Sequence, residues 1–351
     1  MNGRNIHEMI KKRWKDALYI SLGLFLIGML MLRADVTDTM DKISGLDLPL
    51  ILLVLLLYFL NLFCKVIRWF GMLKGMGGRK LGPIVMPIFL ASLALNNSTP
   101  GKIGGEPARA LMFKEHTGNS GSMGIASIFA EKSLDMLAIL TFAAFGLIYL
   151  VFKLGFQDVQ GMVIAIAIGG VMIIMVIVVM LNRRSMDIFN GIIKKIAWKV
   201  SKGKEDSRVV RIVVKLEGMT ERFHGALQHI WKQKVTGAGV ILMTVAIWLN
   251  EALRIYIIIH AMPGDISISF PGAVAVISIA NILGFILPIG SGNVIGGASV
   301  IELLTGDGTS ATAASLTQVI TSLWLSIPLG IISLFYLNRR SRKNASLWNK
   351  G

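Results

Sequence analysis

The residues best equipped for chemistry lie in Asn96-Asn97-Ser98-Thr99-Pro100-Gly101-Lys102-Ile103-Gly104-Gly105-Glu106-Pro107-Ala108-Arg109 and, further on, in Glu131-Lys132-x-x-Asp135. The first stretch is polar and broken by Gly and Pro, yet it stands between the apolar runs 81–95 and 110–113. Polar, broken backbone at bilayer depth survives only where protein or a wet cavity satisfies it. A second stretch of this kind is Pro288-Ile289-Gly290-Ser291-Gly292-Asn293-Val294-Ile295-Gly296-Gly297. Gly105-Glu106-Pro107 has the composition of a helix start, since Pro fits the first turn. A helix over 107–116 would aim free N–H groups and its positive dipole end at the bilayer centre. Gly296-Gly297 ahead of 298–304 would do the same from the other side. With Lys102 and Arg109 alongside, the two ends would form an anion site of a kind that takes a phosphate. A purely structural role stays open: glycines that let hairpins pack, and a Lys102 that extends to the interface.

Glu251 and Arg254 lie deep in another apolar run, 235–260. Ionisable groups inside a membrane are expensive and are functional candidates by default. Spacings of three and four place Lys132–Asp135, Glu131–Asp135, Glu251–Arg254 and Glu106–Arg109 on shared helix faces, where opposite charges are expected to neutralise each other. A salt-bridge network that holds the hairpins and direct contact with a substrate are both compatible with this pattern. No Ser–His–Asp set and no paired-carboxylate hydrolase can be assembled with any specificity. The five His residues show no ligand-like spacing, and the single Cys64 excludes an internal disulfide or a multi-Cys metal site. No metal and no cofactor are expected.

The elements that must position these residues are membrane helices. The chain has 351 residues, 54% of them hydrophobic, and several apolar runs reach the roughly 18 residues of a spanning helix. The net charge of +16 is carried in blocks between those runs, which fits loops on an anionic membrane surface and not nucleic acid. Residues 1–16 are basic and expected to be cytoplasmic. The run from Ala17 lacks a small-x-small cleavage site and is expected to stay as an anchor. Spans are expected at 17–32, 48–70, 122–152, 161–181, 235–260 and 310–337. The block 182–234 carries thirteen cations against five acids and strongly prefers the cytoplasm. It gets there only if 81–116 enters and leaves on the cytoplasmic side. The basic tail Arg339, Arg340, Arg342, Lys343 likewise requires 271–305 to enter and leave from outside.

The reading is therefore an all-α polytopic membrane protein, a single transmembrane unit over 1–351. It has about six full spans and two oppositely oriented re-entrant helical hairpins, with both termini cytoplasmic in the cell membrane. Within 182–234, Ile188, Ile192, Ile196 and Val200 recur at helical spacing among lysines. This reads as a basic cytoplasmic insertion, either amphipathic helices on the inner leaflet or a small soluble hairpin. Span, hairpin, span (48–70, 81–116, 122–152) corresponds upside down to 235–260, 271–305 and 310–337. Local echoes are Leu60-Asn61 with Arg68 beside Leu249-Asn250 with Arg254, and Asn96…Pro100 beside Asn281…Pro288. Inverted repeats with broken helices are a transporter architecture.

Asn97-x-x-Pro100-x-Lys102-x-Gly104-Gly105-Glu106-x-x-Arg109, followed by Glu131-Lys132-x-x-Asp135, resembles the membrane region of lysylphosphatidylglycerol synthetases and their stand-alone flippase-like relatives. That pattern has a Pro, a basic residue, Gly-Glu and Arg, then Glu-Arg and Asp in the next helix. Pro288, Gly290 and Gly292 match its late Pro–Gly–x–Gly turn. The resemblance implies movement of a lipid with a polar or charged head between leaflets. Lys132 stands where Arg is usual, and Val294-Ile295-Gly296 replaces a Glu often found after the second glycine turn, which bears on head-group preference. No soluble domain follows the last span, so aminoacyl transfer is not expected. The preferred expectation is a flippase-like transporter whose partner is an anionic phospholipid or a polyprenyl-phosphate-linked glycan. The rival is a lipid-linked glycosyl- or phosphotransferase using Glu106, Glu131 or Asp135, or a structural subunit of such an enzyme. The substrate set is Asn97, Lys102, Gly105, Glu106, Arg109, Glu131, Lys132, Asp135, Glu251, Arg254, Pro288, Gly290, Gly292 and Asn293. Homo-oligomerisation is left open.

Overall fold

The computed structural model describes residues 21–99, 104–157, 234–264, 266–287 and 290–348, with separate positions between 159 and 198. Among these residues the fold is entirely helical, with no strand. In chain order the helices are α1 (Ser21–Arg33), α2 (Val36–Ser44), α3 (Leu48–Gly75), α4 (Val85–Asn97), α5 (Gly105–Thr117), α6 (Gly121–Leu154), α7 (Lys234–His260), α8 (Phe270–Ile286), α9 (Ser291–Thr305), α10 (Gly308–Val319) and α11 (Ser326–Trp348). A π turn, Ile320–Trp324, joins the last two.

Four segments are long and apolar enough to cross a membrane: α3, α6, Gly237–His260 of α7, and Gly308–Ser341 through the π turn. The apolar helices α4 and α8 have 13 and 17 residues. At 1.5 Å per residue they reach about 20 and 26 Å, short of the ~30 Å hydrocarbon core. Large apolar side chains face outward along the long helices, Leu56, Phe145 and Phe152 among them. Between helices in lipid such side chains gain nothing from leaving water, so close packing holds the bundle together.

Each short pair forms a hairpin. At the open end of α4–α5, the Arg79 N–H donates to Asn119 Oδ1 (3.0 Å) and Asn119 Nδ2 donates to the Arg79 carbonyl (2.7 Å). At the closed end the Gly105 N–H donates to Asn96 Oδ1 (2.7 Å). A Cβ at Gly105 would overlap the Ser92 carbonyl, so only glycine lets α5 start this close to α4. In α8–α9 the two helices run side by side, Gly272 near Leu304 at the open end and Gly292 against the Leu283 carbonyl at the closed end.

The hairpins are exchanged between halves. α4 packs along α11, where Ala94 leaves Gly330 no room for a methyl, and α8 packs along α6, where Ala275 does the same to Gly146. α3 and α7 lie against each other, with Asn61 Nδ2 donating to the Ile247 carbonyl (2.9 Å) and to Asn250 Oδ1 (3.1 Å). One end of the bundle gathers Arg33–Glu302 (3.0 Å), Lys42–Asp307 (3.7 Å) and the Asp47 N–H to Ala261 carbonyl bond (3.2 Å). The other end holds the Arg79–Asn119 pair and Ser341 donating to Glu115 (2.8 Å).

Three expectations are corrected. The segment left as a connection between the expected spans 17–32 and 48–70 contains α2, capped by Asp35, whose carboxylate accepts from the Thr37 and Asp38 N–H groups. The second hairpin does not stay broken as far as 297: α8 ends at Ile286 and α9 starts at Ser291, after Gly290 with φ +79°. Gly296 and Gly297 lie inside α9, pressed on Ala280 and Ser315, so their small size serves helix crossing and not a second helix start. The 310–337 span carries a π turn, which hydrophobic periodicity does not reveal. The N-terminal segment before Ser21, the block 201–233 and most of 161–181 lie outside the described residues.

Candidate functional site

The ionisable residues of the interior form two clusters. In the first, Arg68 of α3 donates to Asp135 with Nη1 (2.6 Å) and Nη2 (2.9 Å), to Glu131 (3.2 Å) and to Thr244 (3.0 Å). Arg109 of α5 donates to the other oxygen of Glu131 (2.8 Å), and its guanidinium lies 5.0 Å from the centroid of Trp69 and 5.1 Å from that of Phe89. Lys132 pairs with Glu106 (2.9 Å), and Trp248 Nε1 donates to Asp135 (3.3 Å). Arg68, Arg109 and Glu131 are 2%, 2% and 5% exposed. Three cations thus meet three carboxylates between α3, α5 and α6. The pairing differs from the expectation based on spacing: Glu106 and Arg109 bond α6 and not each other, and Lys132 bonds Glu106 and not Asp135. Helix α5 lies directly on α6, so opposite charges across that interface approach head-on. Pairs within one helix must instead bend along its surface.

The second cluster borders a cavity of about 140 Å³ lined by residues of α4, α8 and α9 and of the long helices. Its polar lining includes Tyr58, Lys65, Asn97, Glu251, Asn281, Asn293, Ser315 and Gln318. Glu251 accepts from Lys65 (3.1 Å), from Arg254 (3.2 Å) and from Gln318 (3.4 Å). Arg254 is fully buried behind this wall, 5.1 Å from the Tyr58 ring centroid, and donates to the Thr321 carbonyl in the π turn (3.4 Å). Asn97 bonds Ser326 Oγ (2.7 Å), and Asn293 Nδ2 bonds Asn281 Oδ1 (3.4 Å). Tyr58 Oη, Ser315 Oγ and Gln318 Oε1 are buried with no hydrogen-bond partner. Buried polar atoms are normally satisfied, and an exception in a cavity wall is open capacity for a ligand or water.

Among the expected substrate residues, the cavity brings together Asn97, Glu251 and Asn293, with Arg254 immediately behind. Gly290 and Gly292 shape the second tip. Gly105 shapes the first, and Glu106, Arg109, Glu131, Lys132 and Asp135 belong to the closed network. Arg109 therefore does not flank an open helix end, and the Gly104 and Gly105 N–H groups are already taken by Thr99 Oγ1 and Asn96 Oδ1. Lys102 and Pro288 lie outside the described residues. Sequence reasoning passed over Lys65, Tyr58, Gln318 and Asn281 as site residues, and noted Arg68 only as a repeat echo. Lys65 and Arg68 were legible as cations inside an apolar run; the neutral polar residues carry no such signal.

The comparisons decide the family. The model of the lysylphosphatidylglycerol synthase TM region matches residues 17–330. The chain belongs to that family. A UPF0104 membrane protein of Methanothermobacter thermautotrophicus is 25% identical over 335 residues, covering 92% of this chain and 95% of the relative. A UPF0104 membrane protein of Pyrococcus horikoshii is 25% identical over 337 residues, 93% of this chain and 98% of the relative. A member of the lysylphosphatidylglycerol synthase TM family with this many apolar helices is a multi-pass membrane protein.

Proposed function

We propose that this family member moves a lipid with a polar or phosphate-containing head group between leaflets without altering it covalently. In this reading α4–α5 and α8–α9 are re-entrant hairpins, the first from the cytoplasm and the second from outside, within an inverted repeat of the cell membrane. Both termini are cytoplasmic. The Arg79–Asn119 and Ser341–Glu115 ties at one end, and the clustering of 33–47 with 261–263 and 302–307 at the other, support that sidedness. The observation that carries the functional reading is the cavity lined by Asn97 of the first hairpin and by Asn281 and Asn293 of the second, with buried polar atoms that lack partners on residues of its wall, among long apolar helices. A head group there exchanges hydration for protein hydrogen bonds while its chains stay in lipid.

The test is reconstitution into vesicles with a fluorescent phospholipid, followed by chemical quenching from outside and mass spectrometry of the recovered lipid. Accelerated loss of fluorescence with unchanged lipid mass, abolished by Asn97→Leu or Ser315→Leu, is the expected result. A covalently altered lipid whose formation stops in Glu106→Gln would replace the transporter reading with an enzyme.

A further inference from the structure

Of the four long apolar segments, Gly308–Ser341 is the one interrupted, by the π turn Ile320–Trp324. The residues of the turn supply the cause. Pro328 has no N–H for the Trp324 carbonyl, and its ring crowds that oxygen. The hydroxyls of Thr321 and Ser322 donate back to the carbonyls of Thr317 and Gln318, and Ser326 Oγ donates to the Leu323 carbonyl, contacts that bend a helix. The Leu325 N–H reaches the Ile320 carbonyl (3.2 Å), one residue beyond its α-helical partner Thr321.

The backbone opened in this way is held from elsewhere in the molecule. Arg254 Nη2 of α7 donates to the Thr321 carbonyl (3.4 Å). Asn97, the last residue of α4, donates with Nδ2 to Ser326 Oγ (2.7 Å) and to the Leu323 carbonyl (3.4 Å). Gly290, just ahead of α9, comes against the turn from the second hairpin, where a Cβ would lie 3.1 Å from Val319 Cγ1. Packing partners also change at this point. Before the turn, Leu316 and Val319 share a core with Ile27 of α1 and Val294 of α9, and α10 carries α2. Beyond it, α11 runs along α4, with Gly330 pressed on Ala94.

We propose that the π turn is a hinge formed by one extra residue in the span, latched by Asn97 and Arg254, about which α11 moves with the first hairpin while α10 stays with α1, α2 and α9. This goes beyond the transport reading, since it names a moving joint and holds for any cargo. Single π turns interrupt α-helices where the ladder has one residue too many, and helices kink at them. Taking out Ile320, whose side chain is 42% exposed, closes the ladder to α and leaves α10 and α11 in their own packing registers. A deletion in a regular helix instead turns everything beyond it by about 100° and draws it in by about 1.5 Å.

The experiment uses the full chain in nanodiscs with Cys64→Ser and spin labels on cysteines replacing Asp38, Lys114 and Arg339, read by pulsed electron–electron resonance. The 38–339 pair spans the hinge, and the 114–339 pair lies within the body formed by α11 and the first hairpin. The 38–339 distances should be broadly distributed and the 114–339 distances narrowly. Deletion of Ile320 should keep the folded yield, narrow the 38–339 distribution and leave 114–339 unchanged, whereas deletion of Leu329 should abolish folding. Asn97→Ala keeps every backbone residue but removes a latch. It should broaden the 38–339 distribution further and speed hydrogen exchange of the 322–326 amides about tenfold, the effect of one lost hydrogen bond on a local opening. Loss of folding on deletion of Ile320 as complete as on deletion of Leu329 would show that no residue is in excess, and would overturn the inference. A 38–339 distribution unchanged by both the Ile320 deletion and Asn97→Ala would show a fixed kink, and would overturn it as well. Distances that respond as expected in a protein that moves no lipid in vesicles would defeat only transport.

Discussion

Glu131 is the sharpest probe of the closed network. Each carboxylate oxygen holds a different arginine, Oε1 bonding Arg68 at 3.2 Å and Oε2 bonding Arg109 at 2.8 Å, with 5% exposure. Glu131→Gln preserves shape but turns an amide N–H₂ toward one of the two guanidinium groups, setting donor against donor, and leaves one cation uncompensated. Removing one partner of a buried pair costs about 3–5 kcal/mol. For a chain of this size each kcal/mol moves Tm by about 2 °C. A fall of about 6–10 °C in a thermal-shift scan of detergent-solubilised protein is therefore expected. Arg68 retains its bidentate bond to Asp135, so the orphan is Arg109, stacked on Trp69 and Phe89. Adding Arg109→Met to Glu131→Gln removes that orphan and should recover a good part of the loss. A double variant that is less stable than Glu131→Gln by the full cost of Arg109→Met alone would show the two residues to be uncoupled and refute the network.

Gly105→Ala should lower the folded yield and Tm more than Gly71→Ala, because its methyl overlaps the Ser92 carbonyl while Gly71, inside α3, has open space and helical backbone; similar loss at both sites would discount tip packing. Asp307 caps α10, and its carboxyl titrates below the ordinary range. Burial pushes it up, but hydrogen bonds from Ser310, the Lys42 charge and the Thr309 N–H outweigh that. A depressed folded value means that its contribution is present above the unfolded pKa of about 4 and lost as pH falls through the folded one. Tm of the wild type and of Asp307→Asn should accordingly differ at pH 7 and converge in acid; a constant difference would assign the effect to geometry. With Cys64 replaced, single cysteines at Lys114 should react with impermeant reagents only from the cytoplasm, and those at Asp38 and Ser267 only from outside. Lys114 labelling from outside would end the re-entrant assignment of the first hairpin.

The helices were legible where one strong physical signal dominates. Apolar runs set α3, α6 and α7 to within a few residues, and Gly105-Glu106-Pro107 marked the start of α5. Charge was less legible. Glu106, Arg109, Lys132 and Asp135 were visible as ionisable groups at depth, but their partners depend on which helices touch, and spacing along one helix carries no such information. Gly296-Gly297 looked like a helix start because glycine serves both caps and close crossings, and only the neighbouring Ala280 and Ser315 separate the two uses. The cavity wall was the least legible part, since Tyr58, Ser315 and Gln318 are ordinary in composition and become notable only through the partners they lack.

The contact between Asn61 and Asn250 explains why one cluster closes and the other does not. With those two asparagines superposed, the positions four residues on are Lys65 and Arg254, and the positions one residue on are Leu62 and Glu251. Both halves thus contribute a cation at the same turn, but only the second contributes a carboxylate, and both cations converge on it. The echo between Arg68 and Arg254 is out of register by three residues. Arg68 belongs one turn further along α3, where α6 supplies Glu131 and Asp135. A locked network needs a carboxylate for each cation, because any shortfall leaves a charge to be desolvated without return. With Leu62 at the position that matches Glu251, Lys65 and Arg254 both draw on Glu251, whereas Arg68 one turn on meets two carboxylates of α6.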